Sequence, residues 1–275
     1  MIKLFRNIRK NLITEGKTSN YLKYAIGEII LVVIGILIAL SINNWNDQRK
    51  QNTKEIAYLK NLREDVASQI ITFNLNLKIE SIIIRDVDDI LQHIKSNGGF
   101  KNLDSINSKI NDLTIRYTLR INNTTFQELN NTGQINIIRN PNLKKEIVGF
   151  YQTTERASDN IQNNNTNLID NLMIPDIMDL TAFSSATYSD ELLILVSELG
   201  LQPFENDMVK TTAENLLANP ENQLKLINRI KYRSILANYS KKRVALLKEM
   251  ATQLLYSLDA ELEKSSKTIN HNQIT

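Results

Sequence analysis

The chain has no cysteine, which excludes disulfides and thiolate metal sites. It has 8 glycines and 4 prolines in 275 residues, and aromatic residues make up 6%. So few breakers beside abundant Leu and Ile favour long helices. There are two histidines, His93 and His271. Neither has a spaced partner for zinc or a Ser/Asp frame for nucleophilic chemistry. Phosphate loop, dinucleotide fingerprint and nucleophile elbow are all missing. The run Asp86, Asp88, Asp89 lacks the glycine and terminal glutamate of a calcium loop and reads as a solvated helix face. Glu64–Asp65 and Asp176 with Asp179 are pairs by spacing alone, which does not perturb a pKa. The sequence therefore predicts no catalytic residue, no metal site and no cofactor, and reads as a non-enzymatic protein.

Charge of one sign is also lacking over most of the chain. Residues 1–28 hold Lys3, Arg6, Arg9, Lys10, Lys17 and Lys23 against Glu15 and Glu28. Of 33 basic and 30 acidic residues in all, 27 and 28 remain for the rest. A nearly neutral remainder argues against a nucleic-acid surface.

What is present is one long apolar run. Ile29 to Asn46 is uncharged, and counting back to Tyr24 gives about 20 residues, enough to cross a bilayer as a helix. Tyr21, Tyr24 and Trp45 fall where interfacial aromatics belong. The run exceeds the apolar core of a cleaved signal peptide, and "IALSINNW" offers no small-x-small cleavage site. An uncleaved signal anchor follows. The basic residues ahead of it keep the N-terminus cytoplasmic, which predicts a periplasmic main domain on a bacterial inner membrane. Glu28, Gly35 and Ala39 share one narrow helix face, and Gly35/Ala39 is a small-xxx-small pair. That face is the candidate transmembrane contact. The other reading is a headgroup-reaching Glu28 beside ordinary small residues.

The stretch "YAIGEIILVVIGILIALSINNWNDQRK" resembles the N-terminal signature of a family of single-pass membrane proteins of Bacteroidota, classed as a domain of unknown function. "MIKLFRNIRKNLI", "AYLKNLRED" (residues 57–65) and "TTFQELNNTGQINIIRNPNLKKEIVGFY" (residues 124–151) are similar to it too. The resemblance implies location and general form; it supplies no catalytic residue.

Beyond Trp45 the hydrophobic spacing is helical. Ile56, Leu59, Val66, Ile70, Phe73, Leu77, Ile84, Val87, Leu91 and Ile94 follow a 3-4 heptad, with Arg63 and Glu80 as polar exceptions. "SNGG" (96–99) stops that helix. Leu103, Ile106, Ile110 and Leu113 form a short amphipathic face. Thr125 and Glu128 have capping-box spacing, Gly133 is a helix stop, and Asn140-Pro141 opens a helix that breaks before Pro175. The block 124–151 is the candidate functional surface: either a structural corner between helices or a pocket for a small ligand or partner. Ser189 would cap "DELLILVSELG". A last helix starts at Asn219-Pro220, with Leu224, Ile227, Ala237, Val244, Leu247, Ala251, Leu254, Leu258 and Leu262 as its stripe, and ends near Lys264.

The expected fold is all-α: a single N-terminal transmembrane helix followed by an antiparallel bundle of long helices. The parts are a basic cytoplasmic segment (1–23), the span (24–45), an extracytoplasmic bundle (46–264) and a disordered tail (265–275). The expected partners are the lipid bilayer and a second copy or another membrane protein, with no nucleic acid. The expected function is an interaction or scaffold module. The alternative is an extracytoplasmic ligand sensor signalling through a membrane partner, because a cytoplasmic part of about 23 residues cannot contain an output domain.

Overall fold

The computed structural model describes residues 18–183 and 206–271. Most of the basic N-terminal segment and the proposed Ser189 cap lie outside the described residues. In order come α1 (Thr18–Asn97), a 3-10 turn (Leu103–Ser105), α2 (Asn107–Asp112), α3 (Thr124–Asn131), a second 3-10 turn (Gln134–Ile137), α4 (Pro141–Asn164), a π-helix (Asn165–Met173), α5 (Ile174–Leu180), α6 (Asp207–Ala218) and α7 (Pro220–His271). No strand occurs among the described residues. The all-α fold class is as expected.

The chain divides into two units at Ala57/Tyr58. The first holds one stretch long and apolar enough to cross a membrane, with none of it buried. Its helix passes Asn46 without interruption. Trp45 is exposed, and the Arg49 guanidinium carbon lies 5.9 Å from its ring centroid, a cation–π distance.

The second unit is a bundle of three long helices. Arg63 Nε donates to Asp259 Oδ1 at 2.5 Å and Arg233 Nη1 lies 3.4 Å from Glu80 Oε2, so α7 runs antiparallel to α1. Asn140 Nδ2 donates to Glu261 Oε2 at 2.8 Å, while residues 164–169 meet Arg233 and Ser240, so α7 is antiparallel to α4 as well. Helices α1 and α4 therefore run the same way, and the chain must return between them. A non-helical strap, residues 115–123, makes that return.

The helix signals act as their chemistry dictates. Gly98 and Gly99 take φ of 63° and 133° and end α1. A Cβ at Gly99 would come within 2.9 Å of the Gln223 amide, which must then swing aside, so the positive φ is what favours glycine there. Asn140 Oδ1 accepts from the N–H of Asn142 and Leu143, with Pro141 at the first helical position. Gly133 takes φ 67° directly after α3. Leu103, Ile106, Ile110 and Leu113 are all buried.

Four expectations need correction. The buried line of α1 is Leu59, Leu62, Val66, Gln69, Phe73, Asn76, Glu80, Ile83, Val87 and Ile90, an unbroken 3-4 alternation. Ile70, Leu77, Ile84 and Leu91 are only half-buried beside it. On α7 the buried line is Leu226, Ile230, Arg233, Ala237, Ser240, Val244, Leu247, Ala251, Leu254 and Leu258, and Leu224 is exposed. Finally, the helix from Pro141 does not break before Pro175. It widens into the π-helix and continues as α5. Pro175 has no N–H to donate; the N–H of Ile174 reaches Ile169 O, the i→i−5 bond of π geometry. Helix α7 continues to His271, through the first residues of the expected tail. Ser265 and Ser266 bond back to Glu261 O and Leu262 O there, and no Gly or Pro interrupts.

Candidate functional site

The two stretches of the second unit that carry the family resemblance pack on each other. Tyr58 Oη donates to Glu128 Oε1 at 2.8 Å, and that bond raises the phenol pKa above its usual range. Asp65 Oδ2 accepts from the Thr125 N–H at 3.0 Å. The expected Thr125–Glu128 capping box is therefore not what caps α3. A carboxylate from α1 takes the first-turn N–H, and Glu128 turns to Tyr58 instead. Inside this corner Phe126 stacks on Tyr151 at 4.5 Å and 13°, and Phe150 meets Tyr151 edge-on at 5.1 Å. The Tyr151 hydroxyl is buried with no hydrogen-bond partner among the described residues. Burial, with a smaller contribution from the Asp65 charge, pushes its pKa up, so it stays a neutral phenol. A cavity of about 460 Å³ opens on the outer side, between Phe126, Gln127, Asn130, Ile135, Val148 and Gln152.

The strap explains why polar residues occupy heptad core positions. Its carbonyls and amides have no helical partners, so side chains must supply them. Gln69 does so twice: Nε2 donates to Arg120 O at 3.1 Å and Oε1 accepts from Asn122 N at 2.7 Å. Ser158 Oγ donates to Leu119 O, Asn165 Nδ2 to Tyr117 O, and Arg233 to Leu113 O and Ile115 O. Each of these residues looks misplaced in a hydrophobic pattern and has a backbone to satisfy.

Arg233 also meets Glu80, and both are nearly fully buried. Burial pushes the Glu80 carboxyl up and the Arg233 guanidinium down, and each partner opposes the other's shift. Beside them a cavity of about 10 Å³ holds room for roughly one water, lined by Asn164, Asn165, Ser240 and this pair. With Asn76, whose buried amide has no hydrogen-bond partner among the described residues, these residues form a polar layer across the bundle.

Asp86 corrects another expectation. It is fully buried rather than on a solvated face, beside the fully buried Asp112 of α2. Burial first, and then a hydrogen bond with Asp112, raises the Asp86 carboxyl to about 7. Two carboxyls that close share a proton. Asp88 is exposed, and Asp89 pairs with Lys109. Asp176 is buried between Lys225 and Arg229, at 2.5 and 2.9 Å, and so serves as an ion-pair anchor for α5 on α7. His93 Nε2 lies 2.7 Å from Lys101 O and its Nδ1 3.3 Å from Ser105 Oγ, which ties down the turn after α1. Glu28, Gly35 and Ala39 fall on one line of the first unit's helix, and a Cβ at Gly35 would meet nothing within 4 Å.

No group of three or more potential metal ligands occurs among the described residues. Hydrogen bonding, ion pairing and ring packing account for most of the side chains singled out above; the Asn76 amide and the Tyr151 hydroxyl are the exceptions.

No curated protein and no solved structure matches the chain. The sequence profile of a family of unknown function, DUF6090, matches residues 28–171. The match takes in most of the apolar run, the Tyr58/Asp65 corner, the strap, the Asp86–Asp112 pair and most of the π-helix. With more than half of its 275 residues matched, the chain belongs to the DUF6090 family.

Proposed function

We propose that the chain is a single-pass, non-enzymatic interaction module of the bacterial inner membrane in a member of the Bacteroidota, with its N-terminus in the cytoplasm and its bundle in the periplasm. One observation carries the reading. An apolar stretch with no buried residue precedes a bundle in which Gln69, Asn165 and Arg233, polar residues in its interior, hold its own backbone. A protein whose interior polar chemistry is structural acts through its surface and its location. Six basic residues ahead of the apolar stretch support the orientation. The contact line of Glu28, Gly35 and Ala39 supports association within the bilayer, since small residues allow close helix approach.

Fusion of a reporter active only in the cytoplasm after Thr275 tests the topology; strong activity would reverse it. A two-reporter membrane association assay on residues 1–50 tests the seam. Gly35→Leu is expected to weaken association while Leu37→Ile does not. Equal association of Gly35→Leu and the native sequence ends the seam reading. Saturable binding of a small molecule at the 460 Å³ corner cavity would shift the reading to a sensor.

A further inference from the structure

We propose that the outer face of α7, with the groove where α7 meets α4, is the docking site for an acidic amphipathic helix of a partner protein; this rests on the interaction-module reading. Two separate observations meet there. The buried line of α7 leaves an opposite face, and on it Tyr232, Ile235, Tyr239 and Leu246 recur at spacings of three, four and seven residues. They are 49%, 61%, 45% and 46% exposed. The outer face of a bundle helix ordinarily carries polar residues. A second apolar line at heptad spacing is what a further helix packs against.

The groove is the other observation. It encloses about 590 Å³ between α4 and α7 over an apolar floor of Phe150, Met250 and Leu254. Gly149 is on its wall, and a Cβ built there would meet nothing within 4 Å, so an incoming helix can approach the α4 backbone closely. Leu246 belongs to both the line and the groove, which makes the apolar surface continuous. From Tyr232 to Leu254 that surface is about 33 Å long at 1.5 Å per residue, the length of a helix of roughly 22 residues.

Charge selects the occupant. From Asn222 to Lys248 the chain carries eight basic residues and no acidic one; Lys225, Arg229 and Arg233 are engaged by Asp176 and Glu80, and Glu146 and Glu249 line the groove, so the positive part of the site is the stretch around Lys231, Lys241 and Lys242. Lys231 and Lys242 are exposed on the docking face and make no ion pair among the described residues. A second copy would bring another basic stretch against this one. Glutamates flanking an apolar stripe would pair with both lysines and favour encounter. Lipid headgroups supply negative charge without heptad register, and register is the feature this face displays.

The test uses the full chain in detergent micelles and two fluorescent designed helices, both with Leu at a and d. One carries Glu at e and g, the other Lys. The Glu helix is expected to bind saturably and the Lys helix not. Lys231→Glu with Lys242→Glu should reverse that preference by at least about tenfold, and Tyr239→Asp should remove binding, with helicity by circular dichroism unchanged. Equal binding of both helices, or binding untouched by Tyr239→Asp, overturns the proposal. A photo-crosslinking residue at position 239 in native membranes, with position 71 as control, separates this site from the broader reading. Adducts to an acidic helical segment from position 239 alone support it. Adducts to lipid or to a second copy from position 239 overturn it. Protein adducts from position 71 only overturn the site and leave the module reading standing; none from either position overturns both.

Discussion

The two apolar cores of the bundle share α1 and α7 and differ in what fills them. On one side of the polar layer Phe73, Phe126, Phe150 and Tyr151 join Leu59, Leu129, Val244 and Leu254. On the other, Ile79, Ile83, Ile90, Ile110 and Ile230 dominate. The aromatic core buries a single ionisable group type, a phenol held neutral. The aliphatic one adjoins two buried carboxyls, Asp86 and Asp112. One fold thus contains a half whose stability is indifferent to pH near neutrality and a half whose stability is not.

The largest expected effect breaks the aromatic half. Phe150→Ala removes the edge contact to Tyr151 and opens a cavity, a loss of about 3–5 kcal/mol by denaturant unfolding. A cost below about 1 kcal/mol would mean that this core is loosely packed. The boundary comes next. Arg233→Met strands the buried Glu80 carboxylate and is expected to cost about 3–5 kcal/mol. Adding Glu80→Leu should restore part of it. The unrestored remainder reports the strap carbonyl of Ile115 and the Leu113 carbonyl just before the strap, which lose their donor in both variants. Full restoration would show that the strap does not depend on Arg233.

A pH series then separates the halves. The folded Asp86 keeps its proton up to about 7, whereas the unfolded chain loses it near the ordinary value of 3.8. The stabilisation this gives is complete below about pH 4 and is lost as pH rises to about 7, by up to about 4 kcal/mol. Asp86→Asn should flatten that slope without moving the aromatic half, as read by near-ultraviolet dichroism of its rings. An unchanged slope would exclude the carboxyl pair as its source. Smallest is the cap: Asp65→Ala removes the acceptor for Thr125 N–H and should cost about 1 kcal/mol. Hydrogen exchange at Thr125 measures it at the bond itself.

Much of this fold was legible in the sequence, and the misread core positions of α1 and α7 share one cause. The period of α1 was readable, and Leu59, Val66, Phe73 and Val87 are all in the core. Hydrophobicity then favoured Ile70 and Leu77 over their neighbours Gln69 and Asn76, and that register carried Ile84 and Leu91 in place of Ile83 and Ile90. It did so because Gln69 and Asn76 are amides, and an amide counts against burial. Gln69 is buried because the strap lies over it, and no local pattern announces a strap. Arg233 and Ser240 escaped notice on α7 for the same reason. A search for polar residues recurring at heptad positions, 69, 76 and 80 on one helix and 233 and 240 on another, would have found the layer. The caps needed no tertiary information where they are local, as at Asn140. They were misassigned at Thr125, where the acceptor comes from 60 residues away.

The π-helix before Pro175 has a consequence for how the gene can change. Each turn of that segment accommodates more residues than an α turn, and Pro175 fixes where the surplus ends. Removing one codon between residues 165 and 173 would let the segment relax to α geometry with α5 near its present orientation, whereas removing one from the α-helical part before it, residues 141–164, would turn everything after it by about 100°. Asp176 would then swing away from Lys225 and Arg229. The π segment is thus where this helix can lose a residue and keep its ion pairs, so relatives of this protein should place single-residue deletions there rather than in residues 141–164.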